Sequence, residues 1–159
     1  MAEFLSRENR DKLLDLSEVE LLARLIWGEA RGESLQGKVA VGCVVWNRVN
    51  HATGRYGRTW RNVMLKPWAF SCFWQDLGKN PQFDQIISDK YFATLQGTFS
   101  EIERIRVIAD MVRGGLTTDP TGKATHYHVA DMQHPPYWAD SDQMKATVMI
   151  GNHKFYEEL

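Results

Sequence analysis

The chain has 159 residues, 43% of them hydrophobic and 25% charged, which allows one substantial core and leaves too little for two comfortable domains. A formal net charge of −1 provides no strong field to draw it to nucleic acid or to an anionic membrane. No apolar run approaches the ~20 residues that span a bilayer, and Met1 to Asp15 mixes Arg7, Glu8, Arg10, Asp11 and Lys12 among its apolar residues, unlike a secretory leader.

One domain over 1–159 is therefore expected, with 1–16 as an N-terminal extension and the cytoplasm as the place of synthesis. Helix is expected from Leu13 to Gly32, with weaker helical signal back to Phe4. Ser17-Glu18-Val19-Glu20 has the form of a capping box, Ser17 as N-cap and Glu20 reaching back to it. Leu22, Leu25 and Ile26 follow at helical spacing and define a core-facing stripe. Seven residues beyond Leu22 and four beyond Leu25 stands Glu29, a carboxylate where the stripe calls for an apolar residue. Burial there raises the cost of ionisation and favours the protonated acid. Two roles fit this position: a catalytic acid, or a structural ion pair with Arg24 or Arg31.

Gly32-Glu33-Ser34 ends that helix, and Ser34 caps a second from Leu35 to about Asn50. Its stretch Val39 to Trp46 is apolar on nearly every face, so a central buried helix is expected, with Gly37 and Gly42 allowing close packing. A loop from His51 to Thr59 leads to a short helix, Trp60 to Leu65, stopped before Pro67. Ala69 to Trp74 is ambiguous between loop and strand, Lys79-Asn80-Pro81 is a turn, and helix is expected from Ser88 to Gln96. Ser100-Glu101-Ile102-Glu103 opens a further helix that Gly114-Gly115 ends.

After the Asp119-Pro120-Thr121-Gly122 turn the pattern changes. Thr125 to Val129 alternates like a strand, with Thr125, Tyr127 and Val129 on one face and His126 and His128 on the other. Thr147 to Ile150 is its expected partner, and His134 to Trp138 forms a rigid aromatic loop. The fold class is α+β, mostly helical, with a small antiparallel β element near the C-terminus. Cys43 and Cys72 are expected to be free, buried thiols. Six tryptophans suit a core, and they also suit the apolar faces of sugar rings.

Three constellations could carry chemistry. Glu29 and Glu33 lie four apart, on one helical face if the helix continues that far; a two-carboxylate glycosidase would need its second acid from elsewhere, such as Asp76, Asp131 or Asp140. His126 and His128, with His134 or His153 and a carboxylate, could bind zinc and make a peptidase or amidase, although such rings more often hydrogen-bond polar groups in a cleft or pack at a sheet edge. Ser71 or Cys72 could act as a nucleophile, but no nucleophile elbow surrounds them.

The segments Ala23 to Glu33, Gly37 to Val41 and Val45 to Val49, with Phe70-Ser71, Ala124 to His128, Trp138 and Ile150 to Tyr156, resemble the SleB-type cell-wall hydrolases, which include spore cortex-lytic enzymes and phage endolysins. That resemblance covers nearly everything from Ser17 to Tyr156. It implies a lysozyme-like fold related to goose-type lysozymes and lytic transglycosylases. The implied substrate is the peptidoglycan glycan strand, cut between N-acetylmuramic acid and N-acetylglucosamine; no cofactor and no metal are expected.

Glu29 carries over as the catalytic residue and Ser71 as its neighbour. His126, Tyr127 and His128 occupy a stretch often filled by tyrosines in the spore enzymes. Tyr137 and Trp138 are expected to contact sugar, and Glu33 to pair with Arg31 or Arg48 as a fixer of the loop. A compact monomer without leader or binding repeats suits a phage or prophage endolysin released through a holin pore. The rival classes are the zinc amidase and a non-catalytic peptidoglycan-binding module.

Overall fold

The computed structural model describes residues 4–75, 81–95 and 100–159. Among these residues seven α-helices come first: α1 (Arg7–Leu14), α2 (Glu18–Ala30), α3 (Leu35–Val49), α4 (Trp60–Met64), α5 (Pro81–Ile86), α6 (Asp89–Thr94) and α7 (Glu101–Arg113). Three strands follow: β1 (His126–Val129), β2 (Met144–Ile150) and β3 (His153–Glu158). The α+β class with its β element at the C-terminal end is therefore as expected. Among the described residues no helix is long and apolar enough to cross a membrane.

The expected Leu13-to-Gly32 helix is two helices, because Ser17 caps α2 instead of continuing α1. Its hydroxyl accepts from the Glu20 N–H at 3.1 Å, an interaction of about 1 kcal/mol. The reciprocal half of the capping box is absent, since the Glu20 carboxylate is drawn into ion pairs with Arg24 and Arg106 that tie α2 to α7. Leu21, Leu22, Leu25 and Ile26 are fully buried, each contributing roughly 1.5–3 kcal/mol. Ser34 caps α3 through the Gly37 N–H, and Gly42 lets α3 approach α7, where an added Cβ would lie 3.1 Å from Val112. Helix α5 was not legible as a helix in the sequence. Asp76, the Lys79-Asn80 turn and Gln96 lie outside the described residues.

The sheet order is β1-β3-β2. This corrects the expected pairing of the His126 strand with Thr147 to Ile150: both strands pair antiparallel with the C-terminal strand, which lies between them. The cause is the turn at Gly151, whose φ of 56° suits glycine, so that Gly151-Asn152 closes a β2–β3 hairpin and leaves β3 an open edge for β1. Two polar side chains of α3 anchor the lead into β1. Asn47 donates to the Ala124 carbonyl at 2.9 Å, and the buried Arg48 donates to that of Thr125 at 2.7 Å. Cys43 and Cys72 are free and buried.

Candidate active site

Glu29 projects from the last turn of α2, half-buried, at the floor of a cleft of about 750 Å³. Neither Arg24 nor Arg31 pairs with it. Arg24 is taken by Glu20, Asp89 and the Ile86 carbonyl, and Arg31 stacks over the Trp27 ring. Its partners come instead from two distant segments. A 3-10 turn, Ser71–Phe73, brings the Cys72 N–H to Oε1 at 2.9 Å and the Ser71 hydroxyl to the same oxygen at 3.3 Å. From β1, the Tyr127 hydroxyl donates to Oε2 at 3.0 Å.

Gly28 makes the first of these contacts possible. A Cβ there would stand 2.5 Å from Cys72 Cβ and 2.9 Å from Ile86 Cδ1. The Gly28 carbonyl, freed at the helix end, accepts from Gln82 of α5. The missing side chain thus lets the Ser71–Phe73 turn sit directly against α2, within reach of the carboxylate.

Strand alternation puts Tyr127 on the face toward α2, against Phe155 and His153, while His126 and His128 face Trp138. Trp138, His126 and His128 all line the cleft, but Tyr127 is the β1 side chain that reaches Glu29. Tyr137 is 94% exposed and stands outside the cleft lining. The 3-10 turn at Tyr137–Asp140 turns Trp138 inward and its neighbour out.

Burial, with Arg48 and Arg55 nearby, lowers the His126 pKa to about 4, so this ring is neutral at ordinary pH. His128 has both nitrogens engaged, Nδ1 donating to the Val129 carbonyl at 2.8 Å and Nε2 bonded to the Tyr156 hydroxyl at 2.9 Å. Burial also lowers the His153 pKa against the opposing pull of Glu33 and Glu29. Among the described residues no three His, Cys, Asp or Glu side chains converge on a position that could hold a metal ion. Burial and the neighbouring Glu29 raise the Cys72 pKa well above the usual thiol value, which disfavours the thiolate a nucleophile needs.

Glu33 pairs with neither Arg31 nor Arg48, contrary to expectation. Its Oε1 accepts from the Asn152 N–H at 3.1 Å and lies 3.3 Å from His153 Nδ1. The loop after α2 curls toward the β2–β3 turn, so the carboxylate clamps that hairpin to the helix bearing Glu29, while Arg48 is committed to β1. Asp131 and Asp140 are exposed, and Glu29 is the one carboxylate among the described residues lining the cleft. Arg48, Tyr56 and Trp68 also line it and were missed from sequence. The signals available were a charged residue in an apolar helix and a tryptophan after a proline turn.

A helical body with a small sheet closing one side of a cleft, and a glutamate at a helix end as its floor, defines the lysozyme-like class of fold. The chain superimposes on the catalytic domain of the germination-specific lytic transglycosylase SleB from Bacillus anthracis with a TM-score of 0.61 and 26% identity, covering 90% of this chain and 98% of that one. The catalytic domain of the Bacillus cereus SleB protein shares the fold at a TM-score of 0.60 and 24% identity, over 99% and 98% of the two chains. The Cell Wall Hydrolase family profile matches residues 32–156, and the chain belongs to that family. Glu29 stands three residues ahead of the matched region.

Curated relatives include the spore cortex-lytic enzymes of Halalkalibacterium halodurans, 30% identical over 139 residues, and of Bacillus subtilis, 26% identical over 141 residues. These alignments take in 87% and 89% of this chain but only 34% and 38% of the relatives' own lengths, so the chain spans little more than a third of them.

Proposed function

We propose that the protein cleaves the β-1,4 bond between N-acetylmuramic acid and N-acetylglucosamine in peptidoglycan, with Glu29 as general acid and then general base. The observation that carries this reading is the carboxylate at the cleft floor, held by three converging donors and free of any arginine partner. The Cys72 N–H can only donate, so Oε1 remains an acceptor in every protonation state. The Tyr127 hydroxyl can donate or accept, so Oε2 is the oxygen that can carry a proton and give it up without a lost partner. In the forward step that proton passes to the glycosidic oxygen as the C1–O4 bond breaks, leaving an oxocarbenium-like centre at C1.

With a single carboxylate among the described cleft residues, an intramolecular capture fits best. The muramic acid 6-hydroxyl attacks C1 and its proton returns to Glu29, giving a 1,6-anhydro sugar, the product of a lytic transglycosylase. Trp138, His126 and His128 supply one wall for the sugar rings, and Ser71 helps to orient the acid. Mass spectrometry of muropeptides released from purified sacculi tests the reading. Anhydro products, lighter by one water than reducing-end products, are expected. Reducing-end products would make the same site a muramidase, and intact glycan strands would refute the assignment altogether.

A further inference from the structure

Apart from the Trp138 cluster, the cleft lining contains a residue whose placement is costly. Trp68 lines the cleft with 54% of its surface exposed, and its backbone sits at φ 64°. A bulky side chain in the left-handed region is a conformational outlier, and glycine would take the position without strain. Packing uses only part of the indole, and more than half of the residue is left open to the cleft and to solvent.

The ring is also fixed. Phe4 meets it edge-on at 5.2 Å and Trp74 at 5.3 Å. The N-terminal segment is held in place as well, since Gln75 donates its N–H to the Phe4 carbonyl at 3.2 Å and its side-chain oxygen accepts from the Ser6 N–H at 2.6 Å. Strained backbone, an exposed aromatic face and a ring braced on two sides occur together on the cleft wall, the combination found where strain is retained for function.

From this geometry we infer that Trp68 is a stacking platform for a sugar of the bound glycan, separate from the Trp138 cluster, and that the segment leading into α1 braces that platform through Phe4. The apolar face of an N-acetylhexosamine matches an indole face in size and polarity, and a ring fixed in advance loses no rotamer freedom on binding. The inference rests on the glycosidase reading above, because it names a further contact along the same substrate.

The test uses the full chain carrying Glu29→Gln, so that the ligand is not consumed, and a peptidoglycan-derived tetrasaccharide as the probe. Trp68→Gly is expected to weaken binding about tenfold while leaving Tm within a few degrees, and Trp68→Phe to restore most of the affinity. Unchanged affinity in a folded Trp68→Gly variant would overturn the inference and leave the glycosidase reading intact. If that variant does not fold, the indole N–H resonance absent from the Trp68→Phe spectrum identifies Trp68, and it must shift as the tetrasaccharide is titrated. A resonance unmoved at saturation would overturn the platform. Failure of the Glu29→Gln protein to bind, together with failure of the unsubstituted protein to release muropeptides from sacculi, would remove both readings.

Discussion

Replacing Glu29 with glutamine separates chemistry from architecture at one atom. Because the Cys72 N–H only donates, the amide oxygen must take the Oε1 position, and the amide nitrogen then lies where Oε2 accepts from Tyr127 at 3.0 Å. The Tyr127 hydroxyl rotates to accept, and no contact is lost. Against the ionised form the hydrogen bonds weaken by about 1 kcal/mol, while the neutral amide is easier to bury than a carboxylate. These terms offset, so Tm should move by no more than about 4 °C.

Removing the acid should lower turnover by on the order of 10²–10⁴-fold, equivalent to roughly 3–5 kcal/mol of barrier. Thermal melts paired with muropeptide release from purified sacculi measure both quantities on one preparation. A folded Glu29→Gln variant retaining about a tenth or more of the turnover would refute the reasoning. So would a collapse in Tm, which would make Glu29 a structural residue.

Gly28→Ala would force a Cβ to 2.5 Å from that of Cys72, so stability should fall by about 1–3 kcal/mol and activity with it, as read by melts and sacculus clearance. Glu33→Gln leaves one arm unable to accept from Asn152 and weakens the pairing with His153. The expected cost is about 1–2 kcal/mol of stability, with a smaller loss of activity than at Glu29; an equal loss at unchanged Tm would point to a two-carboxylate site. Acid should destabilise the fold through His126. Its folded pKa of about 4 lies below the ordinary 6.5, so the unfolded chain takes up the proton first. The stability it contributes is complete above 6.5, falls as pH drops from there toward 4, and is then constant. His153, also lowered, acts in the same direction, and His126→Asn should flatten the dependence of Tm on pH.

Local chemistry determined much of this molecule. Ser17, Ser34 and Ser100 cap helices because a hydroxyl ahead of a helical stretch satisfies an orphan N–H wherever the chain goes next. Helical phase alone set Glu29 on the buried side of α2, and alternation put Tyr127 on the opposite face of β1 from His126 and His128. Those rules operate over a few residues, so they can be read along a line. Which of the two β1 faces meets Glu29, the burial of Arg48 beneath the site, the seat of Glu33 against the β2–β3 turn and the inward turn of Trp138 beside an exposed Tyr137 depend on segments far apart in sequence. The sheet order shows the reason. Thr147 to Ile150 and His153 to Tyr156 have comparable strand signals, and a left-handed glycine at 151 together with the anchoring of β1 by α3 decided which lay at the centre. Such choices are made by competition among long-range contacts for one core, and neither spacing nor composition encodes the outcome.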